Sequence, residues 1–321
     1  MRTWTRRQWL IATGAAALAA AMPRHSVLRA AEPKGQGMTL SIGTYSLTGM
    51  TVEQGIALVA ELGFDALEIS VQPGQAGEPS KLPPERRKQI RALLNAKGLA
   101  LTSLMENLPP TTDDKAHAAS VERMRQAMQL AHDLSPDDPP LVQTILGGGQ
   151  WEDKKTLFRD RVGDWLQVAK QAGVVLAIKP HRMQAMSRPC EAIWLLGQLG
   201  NSPWLRMAYD YGHYIYRDMP LEATVAESLP YTALVVVKDT ILEGDKTRFA
   251  LAGETGTIDY PKLLRLFHDG GYRGDVCCEV SAQIWKQPGY DPAATARTCY
   301  QNMAAAFDAA GVPRRHATPV R

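Results

Sequence analysis

After residue 37, a short run of apolar, largely β-branched residues gives way eight times to a longer stretch with helical spacing. This alternation constrains the fold more than any other feature. The runs are Leu40 to Tyr45, Ala66 to Ser70, Ala100 to Met105, Leu141 to Leu146, Val174 to Lys179, Leu205 to Asp210, Ala233 to Lys238 and Val276 to Val280. The helical stretches that follow are Thr51 to Leu62, Pro84 to Lys97, Asp113 to Leu134, Asp153 to Ala172, Arg188 to Leu199, Leu221 to Ser228, Asp259 to Asp269 and Pro292 to Ala310. Thr51 suits a helix N-cap, Pro84 a first turn, and Gly63, Gly98, Gly173, Gly200 and Gly311 sit just past helix ends. A strand that returns to the same sheet after a helix runs parallel to its predecessor, so the chain is expected to be α/β. Eight such units in about 285 residues match a single (β/α)8 TIM barrel. A doubly wound open sheet would want a Gly-rich turn after the first strand, and Gly43-Thr44-Tyr45-Ser46 is not one. The stretches around Pro73 to Pro84 and Ile241 to Thr257 read as long loops, and the barrel is expected over residues 38–312 with a tail at 313–321.

The first 30 residues have a different character. Arg6-Arg7 precedes an apolar, Ala-rich run from Leu10 to Met22, too short to span a bilayer well and ended by Pro23. The segment resembles a twin-arginine export signal removed after residue 30 or 31, which implies a periplasmic or secreted mature protein not held in a membrane. Its five arginines have no acid beside them, so the remainder carries 31 basic against 33 acidic side chains. An electrostatic case for nucleic acid binding is lost with the leader. Four cysteines are too few for a disulfide scaffold.

A barrel of this kind builds its active site at the carboxyl ends of the strands, and polar residues collect there in this sequence. Run two ends in Glu68, run three leads into Glu106-Asn107, and run five ends Lys179-Pro180-His181. Run six leads through Asp210 to His213, run seven ends Lys238-Asp239, and run eight reaches Glu279. Strand periodicity puts Lys179 on the side of Ala177, Asp210 with Ala208, Lys238 with Val236 and Glu279 with Cys277, whereas Cys277 and Cys278 face opposite ways. Trp151, Trp285 and Tyr211 also lie beside strand ends, where flat aromatic faces can pack on a small ligand. Gly147-Gly148-Gly149 lacks the Lys-Ser/Thr of a phosphate-binding loop.

Taken together, Gly63-Phe64-Asp65-Ala66-Leu67-Glu68, Asp210-Tyr211-Gly212-His213, Val237-Lys238-Asp239, Cys278-Glu279 and the Gly253 to Tyr260 segment resemble the xylose isomerase-like TIM barrels, the sugar phosphate isomerase/epimerase superfamily. The resemblance implies a divalent cation held by Glu after strand five, Asp after strand six, His on strand seven and Glu after strand eight. Asp210 and Glu279 match, as does the histidine His213 three past the Asp. Lys179 takes the strand-five place, and Val236 falls at the strand-seven histidine. An ammonium has no lone pair to offer a metal, and Val cannot ligate at all.

Two arrangements remain open at this level. Lys179 can replace the metal with a fixed positive charge that stabilises an enediolate-like oxyanion, with Glu279 or His181 as base. Alternatively His181, Asp210, His213 and Glu279 form a shifted set for Mn, Mg or Zn. The resemblance implies a small-molecule carbohydrate as partner, with Glu279, Lys179 and His181 as catalytic candidates and Glu68, His213, Lys238 and Trp151 as substrate contacts. Asp210, His213 and Glu279 are the candidate metal ligands. The expected activity is isomerisation or epimerisation; a non-catalytic sugar-binding barrel and an apurinic endonuclease-like nuclease are the alternatives.

Overall fold

The computed structural model describes residues 37–315; the segment expected to be an export signal lies outside them. Eight parallel strands close into a barrel: β1 (Thr39–Gly43), β2 (Ala66–Ser70), β3 (Ala100–Met105), β4 (Leu141–Thr144), β5 (Leu176–Ile178), β6 (Leu205–Asp210), β7 (Thr232–Val237) and β10 (Asp275–Cys278). The neighbours around the ring are β1, β10, β7, β6, β5, β4, β3 and β2, so the last barrel strand pairs with the first. The fold is a single (β/α)8 barrel. Four helices end on an αL glycine, at Gly63, Gly98, Gly173 and Gly311, and Thr51 caps the first with a reciprocal capping box to Gln54.

Two apolar layers result from the strand alternation. Outward residues pack with the helices in one continuous core that includes the fully buried Trp165, Tyr209 and Phe267. Inward residues are small or modest: Ala177, Ala208, Leu234, Val236 and Cys277 cluster along the axis with Leu141. Cys278 belongs to the outer core, so the two adjacent cysteines do face opposite ways. Large side chains would not fit the crowded axis, which leaves the longer polar groups to the open carboxyl ends.

Two features depart from the sequence reading. Within the stretch Ile241 to Thr257, read as loop, the chain forms most of an antiparallel hairpin of β8 (Asp239–Glu243) and β9 (Lys246–Ala250), turning at Gly244 with φ +60°. Beyond the last helix, Pro313–Arg315 runs beside Met38, whose N–H donates to the Pro313 carbonyl at 3.0 Å; Arg314 reaches Asp65 at 3.1 Å. These residues therefore belong to the barrel rather than to a tail. Among the described residues no helix is long and apolar enough to cross a membrane.

Candidate active site

Lys179, Asp210, Lys238 and Glu279 stand at or just past the carboxyl ends of four consecutive barrel strands, above the small inward residues. They converge on one knot of charge. Lys238 Nζ donates to Asp210 Oδ2 at 2.5 Å and to Glu279 Oε1 at 2.8 Å, while Lys179 Nζ donates to Glu279 Oε2. Asp210 Oδ1 accepts the Gly212 N–H at 3.1 Å. Two ammonium groups and two carboxylates thus cancel, and each carboxylate oxygen has a donor. Asp210 is 0% exposed, Lys238 1% and Lys179 4%, a depth at which an unpaired charge would cost several kcal/mol. Burial works against ionisation of Glu279, yet Lys179 and Lys238 together hold its carboxyl well below the usual range. Burial likewise opposes the Lys179 charge, but Glu279 and Asp210 keep its ammonium above its ordinary value.

The Asp210 carboxylate also organises the turn Tyr211–His213, which carries the His213 ring back over the cluster. A Cβ at Gly212 would lie 2.9 Å from the Lys238 carbonyl oxygen and 3.1 Å from Asp210 Oδ1, so only glycine fits this approach. His213 Nε2 lies 3.3 Å from Asp210 Oδ2, off the line of a hydrogen bond, and the ring is fully buried. The His181 ring lies against it, tilted by 44°, with ring centroids 3.8 Å apart. Burial, reinforced by Lys238 and Lys179, pushes His181 down to about 3. His213 is pushed well below its ordinary value for the same reasons. Both imidazoles are neutral at physiological pH.

Across the barrel, on β2, Glu68 is 2% exposed. Its Oε2 accepts the Ser103 hydroxyl at 2.5 Å and the Gln143 amide, both from neighbouring strands. Burial pushes this carboxyl up, with Lys179 pulling the other way. Glu106, by contrast, turns to Arg123 at 2.6 Å in the helix layer.

Several residues escaped the sequence reading. Phe249 of β9 sets its ring edge against His213 at 5.4 Å and lies 5.2 Å below the Lys238 ammonium. Its N–H donates to Gln283 Oε1 at 2.9 Å, tying the hairpin to the short helix Ala282–Trp285 that follows β10. Tyr45, just after β1, meets Trp285 edge-on at 5.3 Å and lies within electrostatic reach of Glu279 and Lys179. The only available signal for Phe249 was the Glu243-Gly244-Asp245 turn between two alternating segments. Asp239, next to Lys238, faces the other way and accepts Thr255 N–H at 2.8 Å and its hydroxyl at 2.7 Å; the pair is not solvated.

Two expected sites have other partners in the structure. Trp151 opens the helix Trp151–Ala172 and packs against Trp194 at 5.4 Å and Phe158 at 6.4 Å, so these ring contacts lie in the helix layer. For Asp210, His213 and Glu279, the expected metal ligands, the carboxylate oxygens a cation would need accept from Lys238 and Lys179, and Val236 lies in the axial cluster two residues below Lys238. Among the described residues no group of three His, Cys, Asp or Glu side chains is arranged to hold a metal ion. The donor chemistry of this site is that of fixed ammonium groups, and it does not fit the cation of the resembling family.

The profile described as Xylose isomerase-like TIM barrel matches residues 56–307. The chain belongs to that family. Solved structures similar to it in fold include L-ribulose 3-epimerase, 17% identical with a TM-score of 0.68 over 85% of this chain and 96% of that one. D-psicose 3-epimerase, solved in the presence of D-fructose, is 15% identical with a TM-score of 0.68 over 85% of this chain and 100% of that one. The 3-keto-D-glucoside 4-epimerase from E. coli is 13% identical with a TM-score of 0.64 over 84% and 99%. At such identities the likeness establishes the shared barrel. No curated protein sequence matches the chain.

Proposed function

We propose that this member of the xylose isomerase-like family is a sugar isomerase or epimerase that uses paired ammonium groups where its family uses a cation. The observation that carries the reading is the placement of Lys179 and Lys238 about the Glu279 carboxylate at the carboxyl ends of the barrel strands. Removing a proton from the carbon beside a sugar carbonyl moves an electron pair onto the carbonyl oxygen. Preorganised N–H donors in a water-poor site stabilise the resulting enediolate. With its carboxylate held ionised by two lysines, Glu279 anchors them rather than serving as a strong base. His181 offers a neutral imidazole to a sugar hydroxyl, and Tyr45 and Trp285 offer aromatic faces. The names of the solved neighbours, epimerases acting on ketose or keto sugars, agree with this chemistry by analogy of fold. The resemblance of residues 1–30 to a twin-arginine export signal supports a reading in which the enzyme works in the periplasm or outside the cell.

The reading is tested by incubating the purified protein with a panel of keto- and aldo-sugars in heavy water, with and without a chelator. Incorporation of deuterium beside the carbonyl, unchanged by chelation, is the expected result. A protein that binds a sugar and exchanges no proton is a binding barrel, and that outcome overturns the proposal.

A further inference from the structure

We propose that Glu68 is the group that exchanges the substrate proton, acting from the β2 side of the mouth against the ammonium pair on the opposite side. The inference rests on the isomerase reading and assigns its missing base. Three observations on separate strands carry it.

The first is the division of the mouth. Lys179, Asp210, Lys238 and Glu279 belong to the β5, β6, β7 and β10 side, and their charges are spent on one another. Glu68 belongs to the β2 side, and its hydrogen bonds come from the neutral groups Ser103 on β3 and Gln143 on β4. A molecule bound over the axis lies between a carboxyl and a cation pair, the arrangement that a proton transfer with developing negative charge on oxygen requires.

The second is the asymmetry of the carboxyl. Both hydrogen bonds go to Oε2, which fixes the group in rotation, while Oε1 accepts none from the described residues. The lone pairs of Oε1 are the free ones.

The third is Gly43, beside Glu68 in the β1–β2 register. Its φ of −82° is open to any residue, so backbone conformation does not call for glycine here. A Cβ at this position, however, would stand 2.9 Å from Glu68 Oε1. The missing side chain keeps that oxygen uncovered.

The charged groups facing Glu68 are Lys179, which favours its ionised form, and Glu279, which opposes it; Cys277 is the nearest titratable neighbour on β10. Burial raises the carboxyl above its ordinary value and makes its anion a stronger base than an exposed glutamate. In the forward step the substrate C–H bond breaks and an O–H bond forms at Oε1. The electron pair moves to the carbonyl oxygen beside the ammonium groups; return of the proton to the adjacent carbon, with the neighbouring hydroxyl proton passing to the former carbonyl oxygen, gives the isomeric sugar and frees Glu68 for another turnover. No oxidant or further reactant is needed.

The test measures deuterium exchange and sugar affinity for the wild type, Glu68→Gln, Glu68→Asp and Gly43→Ala. Glu68→Gln is expected to lose about 10²- to 10⁴-fold in kcat, the usual contribution of a positioned acid–base group, with affinity changed only a few-fold. The acidic limb of the wild-type pH–rate profile should be present in Glu68→Asp at lower rate. Gly43→Ala retains the carboxyl but displaces Oε1, and should fold normally and lose at least about tenfold in kcat. Full exchange in Glu68→Gln or in Gly43→Ala overturns the assignment while leaving the isomerase reading intact. A wild type that exchanges no proton overturns the isomerase reading and this one with it.

Discussion

The backbone N–H of Met183 donates to His181 Nδ1 at 3.2 Å. An amide N–H can only donate, so the proton of the neutral imidazole sits on Nε2, and the ring presents a donor. With its protonation in the fold delayed to about pH 3, His181 resists a proton that the unfolded chain accepts near pH 6.5. Across that interval the unfolded state binds more protons, so stability is fully present above pH 6.5 and falls as the pH drops toward 3. Urea unfolding between pH 7 and 4 should show this decline, and His181→Gln should flatten it. A slope unchanged by that substitution would place the effect elsewhere.

Replacing Lys238 with Met should destabilise the protein by about 3–5 kcal/mol, because Asp210 and one oxygen of Glu279 would be left buried without their partner. The double variant Lys238→Met/Asp210→Asn should recover part of that loss by removing the stranded charge. Denaturant titration of the pair measures the coupling directly. Additive losses would show that the two side chains act independently.

Gly212→Ala is expected to cost about 1–3 kcal/mol, since its methyl would meet the Lys238 carbonyl oxygen, a backbone atom that cannot swing aside. The strain should also shift the contacting His181 and His213 rings. Histidine ring resonances compared between the variant and the wild type report that movement.

Chelation should leave sugar exchange unchanged, and the purified protein should hold much less than one equivalent of divalent metal after dialysis. Elemental analysis alongside activity measures both. Loss of activity on chelation, restored by Mn or Mg, would mean that a cation displaces the lysines from Asp210 and Glu279.

The barrel was legible because its signal is repeated. Ala66–Ser70, Ala100–Met105 and Leu205–Asp210 are strands at the bounds their apolar runs suggest, and Pro84–Lys97 and Pro292–Ala310 are helices at theirs. Period two also groups Lys179 with Ala177, Asp210 with Ala208, Lys238 with Val236 and Glu279 with Cys277, and those four partners share the axial cluster. What the chain order cannot express is who pairs with whom. Lys238 answers to Asp210, 28 positions away, and Lys179 to Glu279, 100 positions away, and such choices depend on barrel closure and register. Phe249 was hidden because a five-residue strand beside a turn carries a weak periodic signal. Trp151 misled because nearness to a strand end says nothing about the direction of a ring once a helix has begun there.

The closed sum of two positive and two negative side chains at positions 179, 210, 238 and 279 limits how this protein can diverge. A single exchange at any of the four strands a charge in a place without water, so surviving changes must come as compensating couples. A return to the ligand set of the wider family would pass through a state in which the floor of the barrel carries an unbalanced ion. Relatives that keep these lysines are therefore expected to keep the carboxylates as well, and those without the lysines to balance the carboxylates with another positive charge.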